Sequence, residues 1–393
     1  MRTPLAWKNL TSSWNKCALA SAGVCFAVVL MFMQIGFKNA LIDSNVQIFT
    51  LFDVNRANIS IISRSRYSMA TEQRFPRLLL DRLATHDFVT SSGSVSIERG
   101  TSKIQVIGFA AKPIRVVAID LGAANLLRSP KLQEDFLIAD ELDSGLVDSE
   151  SKPSYGFSRD ERELSEQQIE LNGKLISAVG FFRLGTDFNS DGTILLSQKV
   201  HARHFPWRSP TRDPSDLVDI GFLSVVTSKG QSLEEVAQQL QQIAGGEAIV
   251  LPTVALIDRE KAFWASATPI GKIFTIGTLM GLIVGAIICY QIQFTDIADH
   301  MSEFATLKAM GYGPGYFWHL VLSQSFYLAV LGFIPGIFVA LGLYQVLAQY
   351  SGLIMMMTWQ RVVFVFILTL VMCSISGILA IRKLFSSDPA SLF

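Results

Sequence analysis

The sequence predicts an α-helical polytopic membrane protein: four transmembrane helices, with a large α+β extracytoplasmic domain between the first and the second. Three observations lead there. Residues 17–37, 273–292, 320–347 and 362–381 each run about 20 residues or more without Asp, Glu, Lys or Arg, roughly 30 Å of helix and enough to cross the hydrocarbon. The long stretch between the first two blocks alternates strand-like and helical runs and contains no cysteine. The whole chain is 50% hydrophobic and 17% charged with a formal net charge of zero, which argues against nucleic-acid binding and against electrostatic capture of acidic partners.

Residues 1–16 read as a cytoplasmic interfacial helix, with Trp7, Leu10 and Trp14 on one face at the headgroup level. The block at 17–37 follows the basic Arg2, Lys8 and Lys16, but it is longer than a signal-peptide core. Its small-residue run 18–23 also precedes the apolar stretch instead of following it, so it reads as a retained anchor. The basic residues before it, and Arg382 and Lys383 after the last block, place both termini in the cytoplasm. Residues 38–270 are then periplasmic, 293–317 form a cytoplasmic loop and 382–393 a cytoplasmic tail.

In the external region, residues 57–63, 104–109, 114–119 and 169–182 are rich in Ile, Val and Phe and read as strands. Residues 232–243 read as a helix: Ser232 and Glu235 have capping-box spacing, Leu233, Val236, Ala237, Leu240 and Ile243 form a stripe, and Gly245-Gly246 ends it. With strand-like runs at 217–227 and 248–251 on either side, this suggests an α+β sheet with helices on one side. Residues 144–166 read as a long surface loop, and 258–272 as a stalk helix that continues into the second span with a kink at Pro269. All four cysteines (Cys17, Cys25, Cys289, Cys373) fall in the spans, so the external domain is expected to fold without a disulfide.

The loop after the second span carries the most informative pattern. From Asp296 to Gly311, Ile297, Met301, Phe304, Leu307 and Met310 recur at spacings of four and three and line one helix face, with Asp296, Asp299 and Glu303 off it. The plainer reading is an amphipathic helix on the headgroups. Gly277, Gly281 and Gly285 put a flat strip on the second span, which a second copy of the chain or another span of the same chain could cover; Gly332 and Gly336 repeat the spacing beside Pro335.

Enzyme signals are weak. His201 and His204 sit in a polar stretch that reads as a solvated loop, and no metal site or cofactor is expected. Gly311, Gly313 and Gly315 read as a linker, and no G-x-x-x-x-G-K-[ST] occurs, so ATP hydrolysis would have to come from a separate subunit. The spans lack Asp, Glu, Lys and Arg, which argues against a polar tunnel, and interhelical hydrogen bonds account for Gln34 and Gln324.

One span, a large external domain and three further spans is the layout of MacB/FtsX-like permeases of ABC systems. Glu303, Phe304, Ala305, Leu307, Lys308, Ala309, Met310 and Gly311 resemble the ATPase-coupling motif of that family, with His300 where a basic residue is common. The segments 3–7 and 30–37, followed by Ala40-Leu41 and Asp43-Ser44, together with Asp148, Pro153, Tyr155 and Gly156, look like the DevC permeases of cyanobacterial exporters. The resemblance implies an inner-membrane permease without a nucleotide-binding domain of its own, working as a homodimer among membrane lipids with a DevA-like ABC ATPase. A DevB-like membrane-fusion adaptor and a TolC-like outer-membrane channel would complete a tripartite efflux complex for a glycolipid or similar amphiphile, driven by mechanotransmission. The alternative it implies is an FtsX-like non-transporting transducer that activates a periplasmic cell-wall enzyme.

Overall fold

The structure, a computed structural model, describes residues 14–187, 190–208, 213–227, 231–353 and 355–386. The interfacial helix expected at 1–16, with Trp7 and Leu10, lies outside them except for residues 14–16, which open the first long helix. Two compact units result: one of Ala40–Thr268 with Gln349–Ile354, the other of the remaining segments Met1–Asn39, Pro269–Ala348 and Met355–Phe393.

The chain enters through α1 (Trp14–Val46) and then builds the α/β unit from β1 (Ile59–Ser63), α2 (Arg77–Ala84), β2 (Val89–Glu98), β3 (Arg115–Ile119), α3 (Pro130–Glu141), β4 (Gly145–Asp148), β5 (Ala178–Phe182) and β6 (Thr193–Ser197). It continues through α4 (Gln198–His204), β7 (Ile220–Val225), α5 (Leu233–Ala244), β8 (Ala248–Pro252) and α6 (Thr253–Ala262). The main sheet has eight strands in the order β5-β4-β6-β3-β2-β7-β1-β8. It is mixed: β5/β4 and β6/β3 pair in parallel and the other pairs are antiparallel.

Every residue of β1, β3 and β6 is buried. Alternate residues serve opposite faces: Val117, Ile119 and Leu195 join Phe52, Phe136 and Phe222 on one, while Val116, Ala118, Ile194 and Leu196 join Ile104, Val106 and Leu171 on the other. The sheet is therefore covered on both faces, not on one as expected, because continuous apolar strands leave neither face fit for water.

Local chemistry explains the other departures from expectation. Residues 169–182 form three short strands instead of one, since Asn172 (φ 52°) and Gly173 (φ 75°) turn the chain back between Ile169–Leu171 and Lys174–Ile176. The surface loop expected at 144–166 instead contains the buried β4, with Tyr155 and Leu164 also buried. The Asp148 carboxylate ends that strand by accepting the N–H groups of Leu184 and Gly185 at 3.0 and 2.8 Å; its burial raises its pKa above the ordinary range, against the pull of those bonds. The capping box of α5 forms in both directions, Ser232 with Glu235. The stalk is not one helix: α6 gives way to a π-turn at Phe263–Ala267, Thr268 is extended (ψ 152°), and a new helix starts at Pro269. Proline, which fixes φ and has no N–H to donate, suits the first position of a helix better than its interior.

His201 and His204, expected in a solvated loop, lie buried on α4, whose N-terminus is capped by Ser197. His201 stacks on Phe205 at 4.8 Å and its Nε2 lies 3.3 Å from Arg208 Nη1 and 3.4 Å from Glu98 Oε1. Two buried carboxylates, Glu98 and Asp219, are compensated there by Arg208, Arg74 and Arg66, with Arg208 3.0 Å from Glu98 and also bound to Asp219. Burial, and after it the positive charge of Arg208, outweighs the hydrogen bond to Glu98 and holds the His201 pKa below its ordinary 6.5.

The unfolded chain therefore takes up a proton at His201 at a higher pH than the folded chain does. Its contribution to stability is complete above pH 6.5 and is lost as the pH falls through that value toward the lowered folded pKa. The loss approaches about 1.4 kcal/mol per pH unit for one proton. His201→Gln should flatten the pH dependence of thermal unfolding between pH 6.5 and 5.

The helical unit completes α1 with α7 (Pro269–Asp299), α8 (Met301–Ala309), α9 (Pro314–Ser351) and α10 (Trp359–Ser386). Four of these, α1, α7, α9 and α10, are long and apolar enough to cross a membrane. Their outward residues include Ile276, Leu279, Ile283, Phe338, Phe364 and Ile367, all exposed, a surface suited to lipid and not to water.

Helix α1 lies at the centre of the packing. A Cβ at Gly332 would come within 2.4 Å of Val24 Cβ, one at Gly336 within 2.7 Å of Val28, and one at Gly285 within 2.6 Å of Ala27 Cβ. Gly277 faces Gln34 in the same way, at 2.6 Å, whereas a Cβ at Gly281 would only reach ordinary contact with Leu30 and Met31 at 3.7–3.8 Å. Both glycine strips thus seat α1 of the same chain. Gly332→Val should lower the melting temperature of the detergent-purified protein, at a cost of about 1–3 kcal/mol, whereas Gly342→Val on the same helix, where a Cβ meets nothing within 4 Å, should leave it near wild type.

Candidate functional site

The chain passes between the two units at Asn39/Ala40 within α1, at Thr268/Pro269 where α7 begins, at Ala348/Gln349 within α9, and at Ile354/Met355 ahead of α10. Helix α8 connects the end of α7 to the start of α9. The charged segment is not a single helix from Asp296 onward, because α7 absorbs Asp296 to Asp299 and the chain breaks at His300 (φ −97°, ψ 15°). The His300 ring turns back onto its own chain, with Nδ1 2.9 Å from the Asp296 carbonyl oxygen and 3.7 Å from its carboxylate. Gln324 of α9 in turn donates to the Asp296 carboxylate at 3.4 Å. The basic position of the motif is thus engaged within the chain.

Helix α8 is held by its apolar side. Phe304 is buried and packs edge-to-face on Phe317 with centroids 5.9 Å apart, in a cluster with Ile297, Leu320, Val321, Ala380 and Ile381. Leu307 is half-buried against the same cluster. At its C-terminus Gly311 adopts φ +92°, a conformation glycine takes without penalty, so that its N–H reaches Lys308 O at 3.0 Å while Tyr312 N–H reaches Leu307 O at 3.2 Å.

The expected coupling residues therefore divide into two sets. Glu303, Ala305, Lys308, Ala309, Met310 and Gly311 are exposed, whereas Phe304 and in part Leu307 face inward. The stripe that spacing identified packs mostly into the protein's own bundle, and only Met310, 63% exposed, carries it outward.

Sequence reasoning missed the polar seam behind this helix. Gln293 accepts from the Ser325 hydroxyl at 2.8 Å and donates to Cys373 O at 3.1 Å, tying α7 to α9 and α10. A glutamine at the edge of an apolar run was its only signal. Among the described residues no group of three or more His, Cys, Asp or Glu could hold a metal ion.

The helix that joins the second and third long helices, with an inward aromatic and an outward charged edge, sits within a recognisable segment. Residues 275–389 match the FtsX-like permease C-terminal domain. The matched stretch takes in most of α7, all of α8, α9 and α10, and of the α/β unit only Gln349–Ile354. No curated protein matches the chain.

Among solved structures the chain is similar to the periplasmic region of MacB from Actinobacillus actinomycetemcomitans, at 8% identity and a TM-score of 0.36, over 52% of this chain and 92% of that one. It is also similar to the extracellular domain of the noncanonic ABC-type transporter YknZ from Gram-positive bacteria, at 12% identity and a TM-score of 0.34, over 49% and 99%. Likenesses this distant carry no argument about activity.

The packing of α8 has a direct consequence. Phe304→Ala removes the edge-to-face anchor and should expose the segment to trypsin at Lys308 faster than in wild type. Glu303→Gln, altering only an exposed side chain, should leave the cleavage rate unchanged.

Proposed function

We propose that this chain is the permease subunit of a tripartite ABC exporter of the DevBCA or MacB type. The observation that carries the proposal is the outward edge of α8, Glu303 to Gly311, on a helix pinned by Phe304 between the second and third long helices, within a stretch that matches the FtsX-like permease C-terminal domain. Permeases of that family work with an ABC ATPase, and this edge offers the ATPase a carboxylate, an ammonium and an exposed methionine. Glu303, Ala305, Lys308, Ala309, Met310 and Gly311 form the contact in this reading, while Phe304 and Leu307 convert a push on α8 into movement of α7, α9 and α10.

Movement then passes to the α/β unit, which lies in the periplasm in this reading. Helices α1 and α9 carry it, since each continues unbroken along the chain from one unit into the other, whereas the α6–α7 connection is interrupted at Thr268. Two copies pair with two ATPases, and the α/β unit drives a glycolipid-like amphiphile through an adaptor and an outer-membrane channel.

Charge reversal outside the bundle tests the contact without disturbing its packing. Glu303→Lys combined with Met310→Asp should abolish co-purification of the partner ABC ATPase while membrane insertion stays intact; undiminished co-purification counts against the site. Co-purification of an adaptor and a channel supports export, and recovery of a cell-wall hydrolase in their place assigns the chain to transduction.

A further inference from the structure

A groove of about 690 Å³ runs along the outside of the helical unit between α7 and α10, within the range of ligand pockets. The two helices are parallel: Gly285 lies beside Met372, Cys289 beside Cys373, and Ile297 clusters with Ala380 and Ile381. The walls are Ile283 and Ile287 on one side and Ile375 and Leu379 on the other, all 44–61% exposed. The floor carries no free polarity, because the Ser376 hydroxyl donates to Ala286 O at 2.8 Å.

The lining residues span eight positions on each helix, about 10 Å of rise, and end at Tyr290 and the exposed Arg382. This is the C-terminal end of the groove on both helices, and Arg382 closes the apolar run of α10.

We propose that this groove binds an anionic phospholipid, its acyl chain along the isoleucine walls and its phosphate on Arg382. The polarity profile selects this occupant: apolar throughout, with one guanidinium at the end where a headgroup would lie. A second copy of the chain fits less well, since a two-fold axis normal to the membrane would bring its Arg382 to the same level, cation against cation. The binding is independent of any ATPase and goes beyond the coupling role of α8.

The test uses the full-length protein, purified in detergent, incubated with phosphatidylglycerol or phosphatidylcholine and examined by native mass spectrometry. Wild type should retain phosphatidylglycerol in preference. Arg382→Gln should lower that retention about fivefold, Arg382→Lys should keep it, and Ile287→Trp, which fills the groove, should lower retention of both lipids. Equal retention of the two lipids by wild type, or equal phosphatidylglycerol on wild type and Arg382→Gln, overturns the proposal. So does efficient disulfide cross-linking of two Ile287→Cys copies in vesicles, which assigns the groove to a second chain.

Discussion

The close seating of α1 between two glycine strips is the constraint on which the bundle depends. In lipid there is no hydrophobic gain from bringing apolar helices together, so association rests on contact at short range and on a few polar bonds. Gly277 and Gly285 on α7 and Gly332 and Gly336 on α9 supply the first against residues 24–34 of α1, with Gly285 also close to Met372 of α10. Tyr344, whose hydroxyl donates to Phe32 O beside Gly36, supplies the second at the other end of α9. Because α1 is the common neighbour of both strips, a displacement of α7 or α9 cannot leave it in place.

The α/β unit is held by a different balance. Its sheet is buried on both faces, and within that shell Glu98, Asp219, Arg66, Arg74, Arg208 and His201 are brought together with little water. A buried ionic group adds little net stability but makes the loss of any one partner costly. It joins β2, the residue preceding β7, and the segments after β1 and α4, which no apolar contact would hold in so specific a register.

Helix α8 shows how one amphipathic pattern serves two masters. Its spacing is legible in the sequence, but the same stripe satisfies the plainer headgroup reading, a partner-binding reading, and the arrangement found, in which Phe304 anchors the helix to Phe317 and the edge from Glu303 to Met310 stays outside. Periodicity defines a face without naming what covers it.

The sequence by itself determined the number of the long helices, the capping box of α5, and the charged turn between the second and third helices. These follow from composition and spacings within a few residues, which act before any tertiary contact exists. Tertiary structure alone decided that the glycine strips seat α1 of the same chain, that the sheet is buried twice over, and that His201 is an interior residue of an ionic group. It also decided that the stalk is broken at Thr268. The first three rest on partners distant in sequence, Gly332 on Val24 or Glu98 on Arg208, and a single chain read alone carries no record of such pairings. The last rests on backbone dihedrals: proline can either kink a helix or begin one, and only the extended Thr268 before Pro269 shows which happened here.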